Sequence, residues 1–159
     1  FAGKLLAYKG LMDGKNVSWL PSYGPEMRGG TANCSVIVSD DEVASPIVDM
    51  ADVIFVMNTP SLDKFECKVK PGGLLVINSS LVDQKATRTD IRVLEIPAND
   101  KAVELGNDKA ANMIMLGAIL NETGIVKKET VDHQLEKMFS GRKEKFLPLN
   151  KKAFEMYLK

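Results

Sequence analysis

The sequence predicts a three-layer α/β/α domain with a mostly parallel or mixed central sheet and a helical C-terminal part. Three observations predict it. Two nearly continuous apolar runs, Asp52–Met57 and Leu74–Ile77, have the character of strands buried on both faces. A short amphipathic segment and a Gly-rich turn lie between them, which makes one βαβ unit. Beyond Pro97 the apolar spacing becomes helical, so helices close the chain.

The elements follow in order. Phe1, Leu5, Leu6, Tyr8 and Leu11 with Met12 give residues 1–13 the spacing of an amphipathic helix, and Gly14 can end it as a C-cap residue. Asn16–Pro21, with Val17, Trp19 and Leu20, reads as a short strand. A loop rich in Gly and Pro follows, Tyr23 to Thr31. Cys34–Val38 is the next strand, and Asp40 with Asp41 forms a turn.

The run Asp52–Met57 ends in Asn58-Thr59-Pro60. Pro60 suits the first turn of a short helix, capped by Thr59 or Ser61, with Leu62, Phe65 and Val69 on its buried side. Pro71-Gly72-Gly73 reads as a turn into the strand Leu74–Ile77, which closes on Asn78-Ser79-Ser80, and Ile91–Ile96 is a further strand. Ala98–Leu105 reads as a helix ended by Gly106. Asn107 or Asp108 can cap the next, which runs to Thr123 and closes at Gly124; it is apolar on most sides and should be central. Thr130–Phe139 carries the one-sided stripe Val131, Leu135, Met138, Phe139, and Asn150–Leu158 is a last helix.

The 159 residues suggest one domain large enough to bury a core. Lys+Arg and Asp+Glu both count 21, so nothing demands nucleic acid or an anionic membrane as partner. The balance conceals an asymmetry. Up to Val126 there are 12 basic and 16 acidic residues, a net of −4; from Lys127 there are 9 and 5, a net of +4. A basic end on an acidic body can be a docking surface, but interleaved Glu residues favour a solvated face. No apolar run is long enough to cross a bilayer.

One histidine and two distant cysteines leave little for redox or metal chemistry. Four thiolate ligands for an iron–sulfur cluster are lacking, as is a standard zinc set. His133 falls opposite Val131, Leu135 and Met138 and reads as solvated. No Ser/His/Asp set can be built around it. Cys34 reads as a small apolar packing residue and Cys67 as a bystander. The methionines, Met50, Met57, Met113 and Met115 among them, read as core filler.

Two segments are candidates for binding. In Ser22-Tyr-Gly-Pro-Glu-Met-Arg-Gly-Gly-Thr-Ala-Asn33 the glycines permit close approach of another group. Arg28 can hold a phosphate or carboxylate through paired hydrogen bonds. A rigid turn tied by Glu26 and Arg28 explains the same residues. The second segment is Asn58-Thr59-Pro60-Ser61, with Asn78-Ser79-Ser80 at the same sheet edge, where open α/β sheets tend to bind ligands. Helix capping alone also accounts for it.

The loop string, continuing through Cys34-Ser-Val-Ile-Val-Ser-Asp40 and Ser45-Pro46, closely resembles the gamma subunit of 2-oxoacid:ferredoxin oxidoreductases. The likeness runs on through Pro60-Ser-Leu-Asp-Lys-Phe65, Val69-Lys-Pro-Gly-Gly73, Arg88-Thr-Asp90, Ile96-Pro-Ala-Asn99, Leu105-Gly-Asn107 and Pro148-Leu-Asn150. It covers essentially all of residues 1–159 as a single gamma-type domain. Met-Arg-Gly-Gly-Thr-Ala-Asn looks more like the 2-oxoglutarate and 2-oxoisovalerate enzymes than the pyruvate enzyme.

The resemblance implies a cytoplasmic, anaerobic enzyme that decarboxylates a 2-oxoacid, above all 2-oxoglutarate, to an acyl-CoA and reduces ferredoxin. It implies alpha, beta and ferredoxin-like delta partners, which carry thiamine diphosphate, Mg and iron–sulfur clusters, and an isolated chain without activity or bound cofactor. Arg28, Gly29, Gly30, Thr31 and Asn58 would face the CoA side, with Tyr23, Glu26 and Asn33 supporting the loop. The family also starts with a strand and a Gly-rich loop. This chain opens where the following helix continues, so the resemblance implies that this loop is missing from it. Two other readings stay open: a free-standing CoA- or nucleotide-binding module, and a purely structural interface subunit.

Overall fold

A computed structural model describes residues 2–22, 32–125, 135–137, 139 and 141–157. The architecture is α/β. Helix α1 (Ala2–Met12) precedes strands β1 (Asn16–Pro21) and β2 (Cys34–Ser39). Then come β3 (Ala51–Val56), α2 (Thr59–Phe65), β4 (Val69–Asn78), β5 (Arg92–Ile96) and α3 (Ala98–Glu104). Helices α4 (Ala111–Thr123) and α5 (Leu147–Glu155) follow, with short 3-10 helices at Glu66–Lys68, Asp108–Ala110 and Gly141–Phe146.

β3, β4 and β5 form a parallel sheet in that order. The register sets Ile54 beside Leu75 and Leu75 beside Val93, so alternate residues of the apolar runs face opposite sides. On one side Leu74, Val76 and Ile96 pack with Leu5, Ala102, Ile114 and Phe154 of the surrounding helices. On the other, Val56, Leu75 and Ile77 pack with Leu62 of α2 and with Val82. Helices therefore cover both faces of the sheet. β1 and β2 pair antiparallel as a separate ribbon, with Trp19 opposite Val36.

Helix α4 is the central one, with nine of its thirteen residues buried. It lacks a one-sided stripe because the sheet, α3 and α5 surround it. Gly117 is where α5 crosses: a Cβ there would lie 2.0 Å from the Phe154 carbonyl oxygen. Gly124, at φ 59°, closes α4, and its N–H donates to the Leu120 carbonyl. Of the expected Thr130–Phe139 stripe, Leu135 and Phe139 are buried, while Val131, His133 and Met138 lie outside the described residues.

Several expectations need correction. Helix α1 buries Ala2, Gly3, Leu5, Ala7, Lys9 and Gly10, and leaves Tyr8 (46% exposed) and Leu11 (61%) outside. The reason is close approach to the ribbon. A Cβ on Gly3 would meet Cys34 Sγ at 2.4 Å, and one on Gly10 would meet Val38 Cγ1 at 2.9 Å. Lys9 is buried in this packing with its ammonium paired to Asp13 at 2.6 Å.

Val69 belongs to β4 rather than to the helix before it, because one turn of 3-10 helix, Glu66–Lys68, ends that helix first. Pro71-Gly72-Gly73 lies inside β4, where the register with β3 shifts between Ala51 and Val53 and Gly72 adopts φ 75°. The last helix starts at Leu147, with Pro148 in its first turn. Met50 is 43% exposed, so it fills no core, whereas Met113 and Met115 do. Cys34, expected to pack, is exposed at the start of β2 although its Sγ lies against Gly3 of α1.

Candidate functional site

The candidate site is assembled from the carboxyl edge of the parallel sheet. β3 ends and turns into α2 through Asn58, which is extended at φ −155° and ψ 164°. Its Oδ1 accepts the Ser61 N–H at 3.0 Å, so Asn58, rather than Thr59 or Ser61, caps α2. Asn58 is exposed, and its side-chain amide N–H groups have no protein partner among the described residues.

The neighbouring strand ends on Asn78, which is fully buried. Its Oδ1 accepts the Ala98 N–H at 3.1 Å and its Nδ2 donates to Asn99 Oδ1 at 2.8 Å. Ser80 Oγ accepts the Asp100 N–H at 3.1 Å. These bonds lash the start of α3 to the end of β4, since Pro97 ahead of it supplies no side-chain cap. Here side-chain acceptors satisfy backbone donors, while the exposed Asn58 keeps amide donors with no partner among the described residues. Such an edge suits a ligand rich in oxygen acceptors.

The Gly/Arg loop is anchored at its base. Pro21 pairs with Cys34, and the Ser22 N–H donates to the Asn33 carbonyl at 2.9 Å. Asn33 is half-buried there. Tyr23, Glu26, Arg28, Gly29, Gly30 and Thr31 lie outside the described residues. Of the expected site residues, then, Asn58 is placed on the sheet edge and Asn33 at the loop base.

A cluster around Glu66, which no motif in the sequence singled out, joins the 3-10 turn after α2 to the Arg88-Thr-Asp90 segment of the crossover between β4 and β5. Glu66, buried, accepts from the Thr87 N–H at 2.6 Å, the Thr87 hydroxyl at 3.1 Å and the Arg88 N–H at 2.8 Å. Arg88 also pairs with Asp90, donating from Nε at 2.8 Å and from Nη2 at 2.6 Å. The hydrogen bond from Arg88 is the main reason that the Asp90 carboxyl lies below its ordinary range, and the same bond raises Arg88. Lys101 is raised mainly by its hydrogen bond with Glu104. Both are surface ion pairs, the first in the loop before β5 and the second within α3, and neither is an acid–base pair in a cleft.

The donor set also bears on cofactors. Cys34 and Cys67 are both free and sit in different elements, and Cys67 Sγ is spent on the Lys64 carbonyl at 3.7 Å. Among the described residues no three His, Cys, Asp or Glu converge as metal ligands. No helix among them is long and apolar enough to cross a membrane. Two thiols cannot ligate an iron–sulfur cluster unaided, so this chain does not fit one.

Comparison with known proteins places the arrangement in a family. Residues 1–158 match the model of pyruvate ferredoxin/flavodoxin oxidoreductase. The chain is 38% identical over 155 residues to ketoisovalerate oxidoreductase subunit VorA of Methanothermobacter marburgensis, covering 96% of itself and 32% of that protein. It is 32% identical over 149 residues to 2-oxoglutarate synthase subunit KorC of Methanocaldococcus jannaschii, covering 92% of itself and 80% of KorC. The chain thus spans about a third of VorA but most of KorC. The crystal structure of the keto/oxoacid ferredoxin oxidoreductase gamma subunit from Geobacter sulfurreducens superposes with a TM-score of 0.82 at 31% identity, over 98% of this chain and 86% of that one. With a family match over nearly its whole length and a shared gamma-subunit fold, the chain belongs to the pyruvate ferredoxin/flavodoxin oxidoreductase family.

Proposed function

We propose that this chain is a gamma-type subunit or domain of a multi-subunit 2-oxoacid:ferredoxin oxidoreductase. The complex converts a 2-oxoacid to an acyl-CoA and passes the electrons to ferredoxin, and 2-oxoglutarate is the substrate proposed. The likeness to KorC, whose length the chain nearly spans, carries this reading. Greater identity to VorA favours 2-oxoisovalerate as the second reading.

In this account the chain does no redox chemistry itself and is inactive alone. Thiamine diphosphate, Mg and iron–sulfur clusters reside on alpha, beta and ferredoxin-like delta partners, in keeping with a chain that has only two thiols. Arg28, Gly29, Gly30, Thr31 and Asn58 face CoA, and Tyr23, Glu26 and Asn33 support the loop. The pinned base at Ser22 and Asn33 and the outward amide of Asn58 support that assignment. Two free thiols agree with a reducing cytoplasm.

Co-purification from the native host tests the reading. The expected result is a complex containing a thiamine-diphosphate subunit that reduces ferredoxin with 2-oxoglutarate in preference to branched-chain 2-oxoacids and pyruvate. Recovery of the chain alone, with tight CoA or nucleotide binding, would overturn it in favour of a free-standing binding module.

A further inference from the structure

We draw no further inference here: the strongest candidate, the exposed apolar face formed by Tyr8 and Leu11 of α1 beside Trp19 of β1, with the Lys4 ammonium lying over both aromatic rings, carries nothing because nothing in the structure shows what covers it.

Discussion

Glu66 and Arg88 hold each other by opposite ends. The Glu66 carboxylate accepts the Arg88 backbone N–H at 2.8 Å, and the Arg88 guanidinium donates back to the Glu66 carbonyl at 3.2 Å. The connection between β4 and β5 contains no helix, and these bonds help to order it together with the buried Val82 and the bonds of Gln84 to Asp63 and Lys85 to Glu95. Glu66→Ala would strand the N–H groups of Thr87 and Arg88 together. The expected loss is about 2–3 kcal/mol, read from urea unfolding midpoints, with Glu66→Gln losing about half as much. Unchanged midpoints for Glu66→Ala would show that solvent satisfies the loop equally well.

Asp90 gives this cluster a pH dependence. Its carboxyl lies below the ordinary value of 3.8 in the folded chain, chiefly through the hydrogen bond from Arg88. The unfolded chain therefore binds the proton more readily. The stabilisation is fully present above the ordinary carboxylate range and is lost as pH falls through the lower, folded value. The melting temperatures of wild type and Asp90→Asn should differ by a constant amount above about pH 5 and converge in acid. A difference that grew on acidification would contradict the sign.

Gly117 sets the spacing of the two C-terminal helices. Its missing Cβ would fall 2.0 Å from a backbone oxygen of α5, which no side-chain rotation can relieve. Gly117→Ala should cost about 1–3 kcal/mol despite the better helix propensity of Ala. Hydrogen exchange should speed up first in α5. A stabilised variant would mean that α4 and α5 pack further apart than described.

Asn58 separates capping from ligand contact. Asn58→Asp keeps an acceptor for the Ser61 N–H, so stability should change by only a few tenths of a kcal/mol; Asn58→Ala should cost about 1 kcal/mol. Asp removes the outward amide donor and adds a negative charge. In the assembled enzyme Asn58→Asp should raise the KM for CoA several-fold. An unaltered KM would leave Asn58 as a cap alone.

Local chemistry made the sheet readable. Val53 to Val56 and Leu74 to Ile77 are apolar without interruption and form neighbouring parallel strands, as expected; burial on both faces holds for Leu74 to Ile77, whereas the edge strand β3 buries only Val56 and leaves Val53, Ile54 and Phe55 half-buried. Gly124 stands where the apolar pattern breaks and closes α4 as expected, whereas the cap of α2 falls on Asn58 rather than on the expected Thr59 or Ser61. Other features depend on residues far apart in sequence. Glu66 meets residues 21 and 22 positions later, and nothing in either segment names the other. Helix α1 presents its small residues rather than Tyr8 and Leu11, because the ribbon it meets approaches too closely for larger ones. Asn99 is hydrogen-bonded to the sheet edge through Asn78, 21 residues earlier, a contact set by the crossover to β5.

The most direct test of the central claim is the CoA dependence of 2-oxoacid oxidation by the complex assembled with wild-type chain or with Arg28→Ala. Losing one guanidinium from an anion should raise the KM for CoA about tenfold or more, with the KM for the 2-oxoacid and the subunit composition unchanged. An unchanged CoA dependence in an intact complex, or a complex that falls apart on this substitution, would contradict the account.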